Sequence, residues 1–259
     1  MTKKRIPTLF LGHGSPMNAV ASNDFTEQLR SIGEELPKPR AILMISAHWE
    51  TQGTWVTAMD KPKTIHDFYG FPKELYEIEY PAPGSQELAR EIVDLIGESI
   101  KLDNENWGLD HGTWSILKFM YPKADIPVVQ LSLDMRKPPQ YHFDLGKKLS
   151  VLREKGVLII GSGNIVHNLR AISWSQDAQV SNWAKEYDEL IKEKIIEKDF
   201  DYLINKFQKT DIGKMSVPSI EHYLPLLYII GASSNDDQLK FDFEGIQNAS
   251  ISMRSFSYR

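Results

Sequence analysis

Seven histidines and an absence of cysteine define the chemistry open to this 259-residue chain. Three of the histidines stand where short apolar runs end: His13 behind LFLG, His48 behind LMISA and His167 behind LIIGSGNIV. In open α/β sheets ligands bind outside the carboxyl ends of the strands, so these three residues should converge on one edge although they are far apart in sequence. His111 in DHGTW and His222 in SIEHYLPLL are positioned to join them. Neutral imidazole is the commonest protein ligand for borderline divalent metals such as Zn²⁺ and Fe²⁺. Three ligands with open positions describe a catalytic centre rather than a closed structural one. The competing reading, a hydrogen-bonded structural histidine, is the better one for His66 and for His142 at a helix start in PQYHFDL.

Other chemistries fit the motifs less well. GHGSP (residues 12–16) is not a nucleophile elbow, because Ser15 precedes a proline and the glycine spacing fails. GSGNIV (161–166) lacks the third glycine of a dinucleotide fingerprint and has no acidic residue about 20 positions on. Its glycines instead suggest close backbone approach near His167. No H-E-x-x-H pattern occurs, and none of the many carboxylate pairs stands out as a glycosidase couple. Without cysteine, disulfides, thiolate-held clusters and cysteine nucleophiles are excluded.

The elements that must position the histidines are legible in the hydropathy. TLFL (8–11), AILMIS (41–46), PVVQLSL (127–133) and VLIIG (157–161) are short, apolar and rich in branched residues, as strands buried on both faces are. Amphipathic helical stretches lie between them at 25–36, 85–97, 113–121, 141–154 and 181–197. This alternation predicts an α/β fold: a central, largely parallel or mixed sheet covered by helices on both faces. Residues 239–258 lack a helical stripe and are expected to add strands, and 49–83 reads as a long aromatic loop over a cleft. No linker, repeat or charge block divides the chain, so residues 1–259 are expected to form a single catalytic domain. A net charge of −5 argues against nucleic acid, and no apolar stretch reaches the ~18 residues that span a bilayer. The chain therefore reads as cytoplasmic, while its oligomeric state is not legible.

Seven motifs in order (FLGHGSPMNA, ILMISAHWE, IHDFYGFPKELYEIEYPAPGS, GLDHGTW, PVVQLSL, GSGNIVHNL and EHYLPLLY) resemble the class III, LigB-type extradiol ring-cleavage dioxygenases. Within that group they are similar to the DOPA 4,5-dioxygenase-like branch, over nearly the whole chain. Tyr69 is a departure, standing where glycine is expected in HDF-x-GFP, and it bears on substrate size and shape.

The resemblance implies a non-haem iron(II) enzyme that inserts O2 into a catecholic, DOPA-like ring. It implies His13, His48 and His222 as metal ligands. His167 would be a fourth histidine able to approach the metal and to act as acid/base, and His111 a further active-site residue. Related ring-cleavers use a carboxylate as third ligand. Glu221 adjoins His222, but neighbouring helical residues point about 100° apart, so His222 is preferred. Trp49, His66, Phe68, Tyr69 and Tyr223 are the candidates to wall the substrate. Zinc would also fit such a site, and a zinc-dependent hydrolase using the same histidines is the alternative.

Overall fold

The computed structural model describes residues 5–97, 99–175 and 178–259. In chain order the regular elements are β1 (Thr8–Gly12), α1 (Asp24–Glu35), β2 (Ala41–Thr51), β3 (Thr54–Thr57), β4 (Lys63–Thr64), α2 (Lys73–Tyr76) and α3 (Gln86–Ile96). Next come β5 (Ile100–Asp103), β6 (Gly108–Leu109), α4 (His111–Met120), β7 (Val128–Asp134), α5 (Pro139–Leu149), β8 (Val157–Gly163) and α6 (Asn182–Glu197). The chain ends with α7 (Asp211–Ser216), α8 (Leu224–Ala232), β9 (Leu239–Phe243), β10 (Ile246–Gln247), β11 (Ile251–Ser252) and β12 (Ser255–Tyr258).

Eight strands form one sheet in the order β5-β3-β7-β2-β8-β1-β12-β9. Its centre is parallel, with β7, β2, β8 and β1 side by side. Antiparallel pairings of β3 with β7, and of β12 with β1 and β9, flank it. The sheet is mixed, and the C-terminal segment contributes two of its strands.

Side-chain alternation divides each central strand between two apolar layers. Leu43, Ile45 and Ile159 face one layer with Leu145 and Leu149 of α5 and Leu226 and Ile229 of α8. Ile42, Met44, Leu158 and Ile160 face the other, with Leu29 and Ile32 of α1 and Trp114 and Leu117 of α4. Both faces are therefore dry, which is why the strands read as unbroken apolar runs. Local signals set the helix ends. Asn23 and Thr26 form a reciprocal capping box on α1, and Ser85 caps α3 by accepting from the Leu88 amide.

Two expectations change. β2 does not stop at Ser46 but runs on through His48 to Thr51, its pairing with β7 shifting register between Ile45 and Glu50. His48 is thus a residue of the strand rather than of a loop behind it. The expected loop at 49–83 is likewise partly regular, holding β3, β4 and α2; β3 is only four residues long, too short for its alternation to register. Among the described residues no helix is long and apolar enough to cross a membrane.

Candidate metal centre

His13, directly after β1, His48 in β2 and His222, in the turn before α8, each offer a ring nitrogen within 4.8 Å of the others. Their ring centroids lie 4.9, 5.0 and 5.3 Å apart. Two glycines of β8 allow the third histidine this close. A side chain at Gly163 would meet the His222 carbonyl at 2.2 Å, and one at Gly161 the Pro225 carbonyl at 2.6 Å. The GSGN run therefore admits the backbone that carries His222, while His167 follows four residues after β8, bridged to Ile251.

Hydrogen bonds fix which nitrogen of the His13 and His222 rings carries the proton. Ser162 Oγ donates to the Gly112 carbonyl at 2.6 Å, so it must accept from His13 Nδ1–H at 2.9 Å. His222 Nδ1 lies 3.0 Å from the Glu221 carboxylate, which accepts its proton. The Nδ1 atoms of His13 and His222 are thereby protonated, and their Nε2 atoms are left with bare lone pairs. His48 Nδ1 lies 3.4 Å from Asp67 Oδ2, within ion-pair distance but without a hydrogen bond. His13 Nε2 and His48 Nε2 face one another at 3.1 Å. Three neutral imidazoles with ring nitrogens converging within 4.8 Å suit a borderline divalent cation, so the donor set fits a metal. Acceptors behind ligand imidazoles are the usual means of orienting them.

Electrostatics keep the ligands neutral. Burial, then the neighbouring imidazoles, holds His13 and His222 well below the ordinary histidine value. Burial and His111 do the same for His48, against the pull of Asp67. His167 is pushed down to about 4, chiefly by burial, with Glu221 opposing. Its ring lies flat on that of His222, with centroids 3.4 Å apart. His111 opens α4 beyond its cap Asp110; its Nδ1 donates to Asp67 Oδ2 at 2.9 Å and its amide to Oδ1 at 2.8 Å. Burial raises Asp67, but these contacts with His111 outweigh it and hold the carboxyl at about 2. Asp67 thus backs both His48 and His111.

A cavity of about 550 Å³ opens onto these rings, within the range of small-molecule sites. All five sequence-singled histidines line it, as do Phe68 and Tyr69. The other three suggested wall residues do not. Trp49 is buried against Trp107, the rings stacked 5.7 Å apart, because alternation along β2 turns it away from the face of His48. Tyr223 is core, stacked on Phe207 and donating to the Leu203 carbonyl at 3.1 Å. His66 bonds to the Ile78 carbonyl at 3.0 Å, outside the cavity lining. Sequence reasoning missed Asp67 and Ser162, which act on histidines 44 and 149 positions away. It also missed Glu50 and the mouth residues Leu169, Ile172 and Trp174. For Glu50 a signal existed: it lies two residues after His48, hence on the same strand face. Burial and the like charge of Glu221 raise its carboxyl above the ordinary value.

Residues 6–255 match the family described as the catalytic LigB subunit of aromatic ring-opening dioxygenase. A protein of Escherichia coli (strain K12) named 4,5-DOPA dioxygenase extradiol is 47% identical, over 98% of this chain and 95% of its own. One of the same name from Beta vulgaris is 37% identical, over 97% and 96% respectively. The crystal structure of an uncharacterized Escherichia coli K12 protein superposes with a TM-score of 0.86 at 43% identity, covering 98% of this chain and 99% of that one.

Proposed function

This chain belongs to the LigB family of aromatic ring-opening dioxygenases, and from that premise we propose that it is an iron(II)-dependent extradiol enzyme opening a DOPA-like catechol. Membership of an oxygenase family removes the zinc-hydrolase alternative. The observation that carries the iron-site reading is the convergence of ring nitrogens of His13, His48 and His222 within 4.8 Å, with the Nδ1 protons of His13 and His222 committed to Ser162 and Glu221. His13, His48 and His222 would hold the metal. Iron(II), when bound, supplies the electron transfer that lets triplet dioxygen react with a closed-shell ring.

The remaining work falls to the chain's own groups, and residues 1–259 act as one catalytic domain. His167 is neutral near pH 7 and open to the cavity, so it takes a proton from a catechol hydroxyl and returns it later. His111, with Nδ1–H tied to Asp67, lines the cavity and would hydrogen-bond a substrate there through Nε2. Phe68 and Tyr69 border the ring's space, and Phe68 packs edge-on to His111 with centroids 5.5 Å apart. The test is an oxygen-electrode screen of catechols, DOPA included, on protein loaded anaerobically with iron(II). Oxygen uptake with a ring-opened product is expected. Fully iron-loaded protein that consumes no oxygen with any catechol would overturn the reading.

A further inference from the structure

We infer that the cavity favours catechols whose side arm ends in a protonated amine over those ending in a carboxylate, with Glu50 reading that charge; this rests on the catechol reading above. Among the described residues that line the cavity there is no lysine and no arginine, whereas Glu50, Asp67 and Glu221 all do so. Two of these carboxylates are committed. Asp67 holds His111 and His48, and Glu221 accepts from His222 and from Ser219 Oγ at 2.8 Å. The Glu50 carboxylate has neither a hydrogen bond nor an ion pair with any described residue, and the charge acting on it is the like charge of Glu221.

Its place on β2 gives that free carboxylate a direction. Two residues of extended strand separate Glu50 from His48, about 7 Å along one face. A catechol with its hydroxyls at the histidines would extend its side arm over such a span. An ammonium arriving there finds an unpaired acceptor, with a second carboxylate close behind. The cavity mouth adds Phe71 and Trp174, packed edge to face at 6.1 Å, whose ring faces attract cations and not anions. A carboxylate arm meets like charges and no cation. DOPA, carrying both groups, falls between.

Dopamine, DOPA, 4-methylcatechol and 3,4-dihydroxyphenylpropionate are the probes. Their dissociation constants are measured by calorimetry on the full iron(II)-loaded protein without oxygen, and kcat/KM is then measured with oxygen. Dopamine is expected to bind at least fivefold tighter than 4-methylcatechol, and the acid at least fivefold weaker. In Glu50→Gln the dopamine to 4-methylcatechol ratio should fall at least threefold, whereas Glu50→Asp retains most of it. High salt should shrink the wild-type ratio, because the charges are partly solvated. An acid that binds as tightly as the amine, or a ratio unchanged in Glu50→Gln, overturns the inference while ring opening of 4-methylcatechol keeps the catechol reading intact. Absence of binding and turnover with all four probes overturns both.

Discussion

His142 is a buried imidazole and His167 a half-buried one, and desolvation pushes both down to about 4, yet they occupy different kinds of surroundings. His142 lies between α5 and α8, its Nδ1 3.0 Å from the Tyr228 hydroxyl and its ring edge-on to Tyr141 and Tyr228. Among the described residues no second imidazole is in ring contact with it. His167 lies against His222 and beside Glu221, and lines a cavity with four other histidines. Burial and a depressed pKa therefore do not distinguish a reactive histidine from a structural one. Convergence does: several rings share one cavity, and those of His13, His111 and His222 are held from behind by an acceptor.

The contrast is broken most completely by removing ligands. His13→Ala and His48→Ala are each expected to lose bound iron and turnover while keeping the fold, since the ligands stand at one end of a sheet whose core lies elsewhere. His142→Ala should keep its iron. Metal content and circular dichroism on the same samples check this, and a His142→Ala protein as empty as His13→Ala would sink the ligand assignment. His167→Gln comes next. It retains a hydrogen-bonding side chain but exchanges no proton near neutrality, so turnover at saturating iron(II) should fall by about 10²–10⁴-fold, the usual scale for a lost acid/base group. Near wild-type rates in the fully loaded variant would transfer the role to His111.

Ser162→Ala sharpens the comparison by freeing the His13 tautomer without touching a ligand. Iron affinity, measured anaerobically against a competing chelator, is expected to weaken by about 10–100-fold, as for other partners behind a ligand. An unchanged affinity would mean that the backing acceptor is dispensable. The smallest effect belongs to His142. Its folded pKa of about 4 lies below the ordinary 6.5, so between those values the unfolded chain binds the extra proton. Stability present above pH 6.5 is therefore lost as pH falls towards 4, by about 3 kcal/mol at most. His142→Gln should flatten that acid limb in urea titrations of the metal-free protein; parallel limbs for the two proteins would refute it.

The strands around the site were legible because both faces of the sheet are apolar. His48 was read as lying behind its strand because SAHWET mixes polar and apolar residues, while backbone pairing with β7 carries β2 on regardless. Trp49 and Tyr223 lie outside the cavity lining because an aromatic beside a ligand can face either way, and strand alternation or core packing decides. Asp67 and Ser162 left no local trace, since their partners are brought to them only by the fold. His111 and His222 were suggested by position, but their place among the site residues came from the resemblance.

The His222 carbonyl sits on β8, accepting from the Asn164 amide at 2.9 Å, with no room at Gly163 for a side chain. This segment does not swing out on a hinge; to leave, it must peel away from a strand in the parallel centre of the sheet. Opening free energies range from near zero in loops up to the global value in core strands, and this contact lies at the upper end. Departure of the His222 backbone would then be coupled to opening of this part of the sheet rather than to loop breathing. The Asn164 amide proton would exchange with solvent on the same slow clock.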